Sequence, residues 1–178
     1  MGAGGILRLL LLLLTDKLEF GEEKNGSMIC RKLNQDTIDI YIDYLKIAMR
    51  EDPDEMMADV LDEAGIRRRI TDPFFQKTIS ILAIEDGSAI GRIEFHFYGC
   101  IQDGYKMAYV DWVYVLPKHR HKGVAQSLFQ EFEKECAALG INEYYLIRSE
   151  GNEAERFYHT FSNAKLSTEP MLRKYISE

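Results

Sequence analysis

The chain lacks any excess of basic residues: 22 Lys and Arg stand against 29 Asp and Glu, a formal net charge of -7 over 178 residues. Nonspecific nucleic-acid binding needs a basic face, so that class is set aside and cationic partners are favoured. Cysteine is scarce as well. Cys30, Cys100 and Cys136 are an odd number with no metal-like or redox-like spacing, which argues against a disulfide framework and a zinc site and makes a reducing cytoplasm the expected location. The leucine-rich run Ile6 to Leu14 is interrupted by Arg8 and falls short of the about 20 apolar residues a bilayer requires. Thr15-Asp16-Lys17-Leu18-Glu19 offers no small-residue cleavage site after it, and Gly2 has no Ser or Thr four positions on for myristoylation. Neither export nor a membrane is expected.

Nucleophile arrangements are missing too. No His pattern lies beside Cys100, Cys136 falls within a helical apolar stripe, and no serine triad is indicated, so covalent catalysis is not expected. The length suits one domain with a substantial core. Met28-Ile29-Cys30-Arg31-Lys32-Leu33 reads as its first strand, which leaves residues 1–27 as an upstream extension and 28–178 as the domain.

The most informative stretch is Arg120-His121-Lys122-Gly123-Val124-Ala125. It follows a β-branched run, Val110 to Leu116, and opens a helical pattern carrying Val124, Ala125, Leu128, Phe129, Phe132 and Cys136 on one side, with Gly140 as its stop. The first N–H groups of a helix have no intrahelical acceptor, and the helix dipole adds positive charge there, so this turn predicts an anion site suited to phosphate or pyrophosphate. Gly123 lets the backbone approach a ligand, while Arg120, Lys122 and His121 can add charge. The stretch lacks the Gly-x-Gly-x-x-Gly of dinucleotide folds and the Gly-Lys-Ser/Thr of nucleotide triphosphate loops.

Its Arg-x-x-Gly-x-Ala pattern, with Pro117 just upstream, resembles the acyl-CoA signature of the GNAT superfamily of N-acetyltransferases. A second match, Asn152-Glu153-Ala154-Glu155-Arg156-Phe157-Tyr158, is similar to the family's Asn-x-x-Ala-x-x-Phe-Tyr helix in type and order, and in spacing from Ala154 to Tyr158, with one residue rather than two between Asn152 and Ala154. The resemblance implies that acetyl-CoA is the co-substrate. It implies that Val113 and Val115 offer strand groups to the pantetheine arm, that the amides from His121 to Gln126 hold the pyrophosphate, and that Asn152 caps its helix near the CoA arm. It makes Tyr158 the general acid for the departing thiolate, with a Val113 backbone N–H beside the developing oxyanion. From the residues alone, Ala154, Phe157, Tyr158 and Phe161 form an apolar stripe, and a packed aromatic is the competing reading of Tyr158. The family's glycine after Phe-Tyr is missing; Asn163 tolerates the left-handed conformation wanted there.

The remaining pattern gives an α/β (α+β) fold. Asp36 is the expected cap of a helix carrying Ile38, Tyr41, Ile42 and Leu45, and a second helical region runs to about Ile70 before Asp72-Pro73 breaks it. Thr78 to Ile84, Ala89 to Tyr98 and Met107 to Leu116 read as three antiparallel strands joined at Asp86-Gly87-Ser88 and Gln102-Asp103-Gly104. Asn142 to Arg148 then pairs in parallel with the signature strand, and Met171 to Ile176 adds a last strand. The expected architecture is a mixed, mostly antiparallel sheet with a parallel pair that splays at the cofactor site and helices on both faces.

Moving an acetyl group from a thioester to an amine requires a neutral amine and a proton for the leaving thiolate. Asp111, Glu94 and His96 sit on predicted strands and are candidate bases, with Asp111 preferred; an ordinary pairing role in the sheet is the alternative for each. Strict alternation puts Tyr109, Asp111 and Val113 on one face and Trp112 and Tyr114 on the other. Glu51, Asp52, Asp54, Glu55, Asp59, Asp62 and Glu63 crowd one stretch without a Lys or Arg. That run reads as a solvated helix face or, by the resemblance, as an acidic wall of the acceptor pocket drawing in a cationic amine. The expected function is acetyl transfer to a primary amine of a small cationic acceptor. Its alternatives are a noncatalytic acyl-CoA-binding module and a protein N-acetyltransferase. No metal is expected. Family members are often homodimers, though no heptad or exposed apolar pattern here specifies an interface.

Overall fold

The computed structural model describes residues 27–56, 59–148, 151–168 and 170–176. The leucine run lies outside them, as does nearly all of the expected extension 1–27. In chain order the elements are β1 (Ile29–Lys32), α1 (Ile38–Glu51), α2 (Glu63–Arg69), β2 (Thr78–Glu85), β3 (Ser88–Gly99), β4 (Lys106–Val115), α3 (Val124–Leu139), β5 (Glu143–Leu146) and α4 (Asn152–Tyr158). One sheet runs β1-β2-β3-β4-β5, antiparallel until the last pair, where β5 lies parallel to β4. The mixed sheet follows from connection length: Asp86 (φ 48°) and Gly87 (φ 75°) close a tight left-handed hairpin, whereas β4 reaches β5 only across a 16-residue helix.

Helices cover both faces. On one, α3 packs Val124, Leu128, Phe129, Phe132 and Cys136 against Ile81, Ile93, Phe95, Ala108, Val110 and Val115. On the other, Tyr41, Tyr44 and Ala48 of α1 meet Leu82, Ile84, Ala89, Tyr114 and Leu116. The predicted stop at Gly140 (φ 66°) is there: Gly140 N–H bonds the Ala137 carbonyl and Ile141 N–H that of Cys136.

Four expectations change. Thr37, not Asp36, precedes α1; Asn34 Oδ1 accepts the amides of Asp36 and Thr37, and Thr37 Oγ1 donates to Lys32 O at 3.1 Å, so the local turn rather than a side-chain cap launches the helix. Gly151 (φ 130°) is the N-cap of α4, with Asn152 its first helical residue. Met171 to Ile176 forms no strand. Its apolar residues come in adjacent pairs rather than alternating, so a strand would have no single face to bury; Leu172 and Ile176 stay 94% and 96% exposed.

The fourth change concerns β4. Glu94 pairs with Trp112 and Phe95 with Val110, so Asp111 is an extra residue, a β-bulge. Alternation breaks there. Tyr109 lies opposite His96 and shares the α1 face with Trp112 and Tyr114, while Val113 faces α3 with Ala108 and Val110. Tyr109 and Val113 are therefore on opposite faces.

Candidate active site

The bulge coincides with the place where the sheet opens. β5 follows β4 from Met107 opposite Glu143 to Val110 opposite Leu146 and then ends, while β4 runs on to Val115. From Asp111 to Val115 one edge of β4 has no strand neighbour among the described residues. Leu116 N–H donates to Ile90 O of β3, and backbone direction alternates along a strand, so Val115 and Val113 turn their polar groups to the open edge. Arg120 Nε donates to the Val115 carbonyl at 3.0 Å, which agrees with that direction.

The chain then passes through Pro117 to His119 and reaches a loop with His121 at φ 59° and Gly123 at φ 82°. Both are left-handed, and Gly123 is the N-cap of α3, where it brings no side-chain oxygen to the first turn. Among the described residues, none of the amides from His121 to Gln126 reaches an acceptor, whereas those of His119 and Arg120 are satisfied by Leu116 O and Pro117 O. A 16-residue helix thus begins with its first amides free beside an open strand edge. Nothing lies within 4 Å of where a Cβ on Gly123 would stand, so the approach is clear. A long ligand with a peptide-like arm and an anionic end fits this continuous run: the arm pairs with β4 and the anion meets the turn.

Arg120 has a role the sequence did not suggest. Its guanidinium bonds Asp52 Oδ2 at 2.7 Å and lies 5.3 Å over the Tyr114 ring, so its charge is matched at the end of α1. Asp52 also accepts from the Tyr114 hydroxyl at 3.0 Å, and burial together with that carboxylate raises the Tyr114 pKa. Lys122 belongs to the same exposed turn as His121. The acidic run is largely committed to such pairs: Glu51 with Lys118, Asp52 with Arg120, Glu63 with Lys46, and Asp62 capping α2 through Gly65 N–H. Asp54, Glu55 and Asp59 of the same run are exposed.

The second motif meets the first. His121 Nε2 stands 3.5 Å from Glu153 Oε1 of α4. Phe157 and Phe161 seat α4 on Phe129 of α3, with ring centroids 5.6 and 4.9 Å away. Tyr158 is half-buried next to them, 5.4 Å from Phe157 and 5.9 Å from Phe161. The predicted stripe of Ala154, Phe157, Tyr158 and Phe161 is the less exposed side of this segment, and Asn163 takes the left-handed conformation expected of it, at φ 63°.

Asp111 is exposed at the bulge, and burial, then the Asp111 carboxylate, raises the pKa of neighbouring Tyr109. Glu94 is engaged elsewhere, accepting from Ser80 Oγ at 2.5 Å and Arg92 at 3.1 Å; His96 Nδ1 is 3.3 Å from Thr78 Oγ1. Both thus have a cross-strand partner on β2. Cys136 is buried and its thiol is pushed up to about 11, chiefly by burial, as is that of Cys30, which suits core packing rather than nucleophilic chemistry. Among the described residues no cluster could hold a metal ion, and no helix is long and apolar enough to cross a membrane.

Two positioning residues went unread in the sequence. A Cβ on Gly91 would meet Val124 Cγ1 at 3.0 Å and Val115 Cγ2 at 3.3 Å, so this glycine lets the start of α3 settle against the end of β4. The Gly91-Arg92 position inside an apolar strand was its only local signal. Asp52 had none, because its partner Arg120 is distant in sequence.

Comparison with known proteins agrees with this geometry. The described sheet with its single parallel pair superposes on an aminoglycoside acetyltransferase from an uncultured soil metagenomic sample, in complex with sisomicin (TM-score 0.66, 10% identity, 84% of this chain and 95% of that chain). It superposes similarly on the ribosomal-protein-alanine N-acetyltransferase of Brucella melitensis biovar Abortus 2308 (0.64, 17%, 84% and 100%). A third solved structure, the aminoglycoside N-acetyltransferase AAC(6')-Iy in complex with CoA, matches at 0.63 and 18% identity over 87% and 99%. At these identities the likeness is one of fold. No curated protein matches by sequence. The model of the Acetyltransferase (GNAT) family matches residues 34–162, spanning both motifs, the bulged strand and the splay, and on that match the chain belongs to the GNAT acetyltransferase family.

Proposed function

We propose that this protein transfers an acetyl group from acetyl-CoA to a primary amine of a small cationic acceptor, by direct attack. Family membership implies acetyl-CoA-dependent acetyltransferase activity. One observation carries the cofactor side: the free amides from His121 to Gln126 continue directly from the open edge of β4. In this reading those amides, with Lys122, Gly123, Val124 and Ala125 in the turn, hold the pyrophosphate, and Val113 and Val115 pair with the pantetheine arm. Arg120 serves by fixing the Val115 carbonyl and the end of α1, and Asn152 lies at the start of the helix that faces the loop.

Bound acetyl-CoA supplies the activated acyl group. Asp111, at the mouth of the splay, takes a proton from the acceptor ammonium or from water between them. The freed amine forms the carbon–nitrogen bond while the Val113 N–H donates to the carbonyl oxygen as charge builds there; as the carbon–sulfur bond breaks, the Tyr158 hydroxyl gives its proton to sulfur, and the second proton shed by the nitrogen returns through water to the Tyr158 oxygen. Small-amine chemistry is supported by the presence of sisomicin in one fold relative.

The test is release of free thiol from acetyl-CoA across a panel of amines, together with CoA binding by calorimetry. Turnover on small amines is expected. Tight CoA binding without turnover on any amine or peptide N-terminus would make this a noncatalytic CoA module instead.

A further inference from the structure

Among the described residues, the α1 face of the sheet is only half covered. The apolar cluster around α1 reaches as far as Trp112, and beyond it the face carries two further rows that no described helix covers. Thr78, His96, Tyr109 and Tyr145 stand opposite one another in the first; Tyr98, Met107 and Glu143 in the second. Their rings form a continuous surface: Tyr109 is 5.0 Å from Tyr145 and 6.4 Å from His96, and Tyr98 is 6.4 Å from Tyr145. Tyr98 and Tyr145 remain 43% and 47% exposed. Asp111 lies at the end next to the splay, and Glu143 at the other. The row of Tyr109 and Tyr145 is the last full row before β5 leaves the sheet.

We infer that Tyr98, Tyr109 and Tyr145 form a shelf for a second ammonium group of an oligoamine acceptor, with Asp111 and Glu143 as flanking counter-charges. This rests on the acetyltransferase reading and adds a requirement to it. Aromatic faces attract cations, and neutral phenol rings beside carboxylates repel anions. The spacing suits a short linker: Asp111 is two positions beyond Tyr109 on β4, at most roughly 7 Å at about 3.3 Å per residue with the bulge between them, which about four methylenes span. Of the chain's own cations among the described residues, Arg173 is the one whose charge reaches Tyr109, and it sits on an exposed stretch without secondary structure. It competes with a bound ammonium.

The experiment compares kcat/KM for 1,4-diaminobutane with that for butylamine, using the full chain, and adds trans-1,4-diaminocyclohexane to separate linear from rigid oligoamines. Wild type should prefer the diamines. Tyr145→Leu and Tyr109→Leu should each lower the diamine-to-monoamine ratio about fivefold, Tyr109→Phe should keep it, and Arg173→Ala should raise it. An equal rate on diamine and monoamine, or a ratio unmoved by both leucine variants, overturns the shelf while leaving acetyl transfer standing. If no amine turns over, the activity fails instead. The shelf is then decided by calorimetric binding of 1,4-diaminobutane to the CoA-bound protein: binding lost in Tyr145→Leu supports it, and no binding to wild type overturns it.

Discussion

Gly123 and Gly87 provide a paired experiment on the anion turn. Both adopt the left-handed conformation, at φ 82° and 75°, and neither has an atom within 4 Å of where a Cβ would stand. Substituting alanine at either position therefore adds backbone strain without a clash. That strain costs about 1–2 kcal/mol, or roughly 2–8 °C in Tm for a protein of this size. The two variants should lose similar stability in a thermal melt. They should differ in ligand binding, since Gly87 lies in the β2–β3 hairpin and Gly123 caps the helix whose amides face the open edge. Relaxing the Gly123 strain turns at least one of those amides away from the ligand. Losing one hydrogen bond to a charged group costs about 1.5–3 kcal/mol, or roughly 10- to 150-fold in Kd. Titration calorimetry with CoA should thus show Gly87→Ala binding like wild type and Gly123→Ala far more weakly. Equal CoA affinity in the two variants, with equal loss of Tm, would refute the assignment of this turn as the pyrophosphate site.

Tyr158→Phe should reduce kcat by about 100-fold or more, as expected for a lost general acid, with CoA affinity nearly unchanged; unchanged turnover removes Tyr158 from the mechanism. Asp52→Ala strands the Arg120 guanidinium and the Tyr114 hydroxyl and should cost about 2 kcal/mol in urea unfolding, and an unchanged midpoint would show that the pair contributes nothing. Stability should also fall in alkali. The Cys136 thiol is raised from 9.0 to about 11 and Tyr44 is raised too, both mainly by burial, so the folded state holds these protons after the unfolded chain has released them. Their contribution is complete below pH 9 and declines as pH rises from 9 to 11 for the thiol and above 10 for the phenol, by up to about 1.4 kcal/mol per pH unit and group. Urea midpoints at pH 8, 9.5 and 10.5 would test this, and a flat profile contradicts it.

What the sequence made legible was local. The hairpin at Asp86-Gly87, the apolar face of α3, the stop at Gly140 and the two motifs are each written within a few residues, in turn chemistry or helical spacing. What it hid depends on residues far apart. Neither the Asp52–Arg120 contact nor the seat of Val124 on Gly91 has a signature within one element. The bulge was hidden for another reason: Tyr109, Asp111 and Val113 satisfy perfect alternation on paper, and only the pairing with β3 shows one residue too many. Met171 to Ile176 misled in the opposite way, because β-prone composition does not make a strand when the apolar residues point both ways.

The extra residue in β4 separates two kinds of constraint that usually travel together. Replacing Asp111 changes an exposed side chain and leaves the strand pairing intact, so the fold should tolerate many identities there while the proposed proton transfer would not. Deleting it would leave Val110 opposite Phe95 and Trp112 opposite Glu94 in regular alternation, so the side chains beyond would keep their faces while the bulge and its carboxylate were lost. At this one position the fold is bound neither by the letter nor by the length, and only the proposed proton transfer is bound by both.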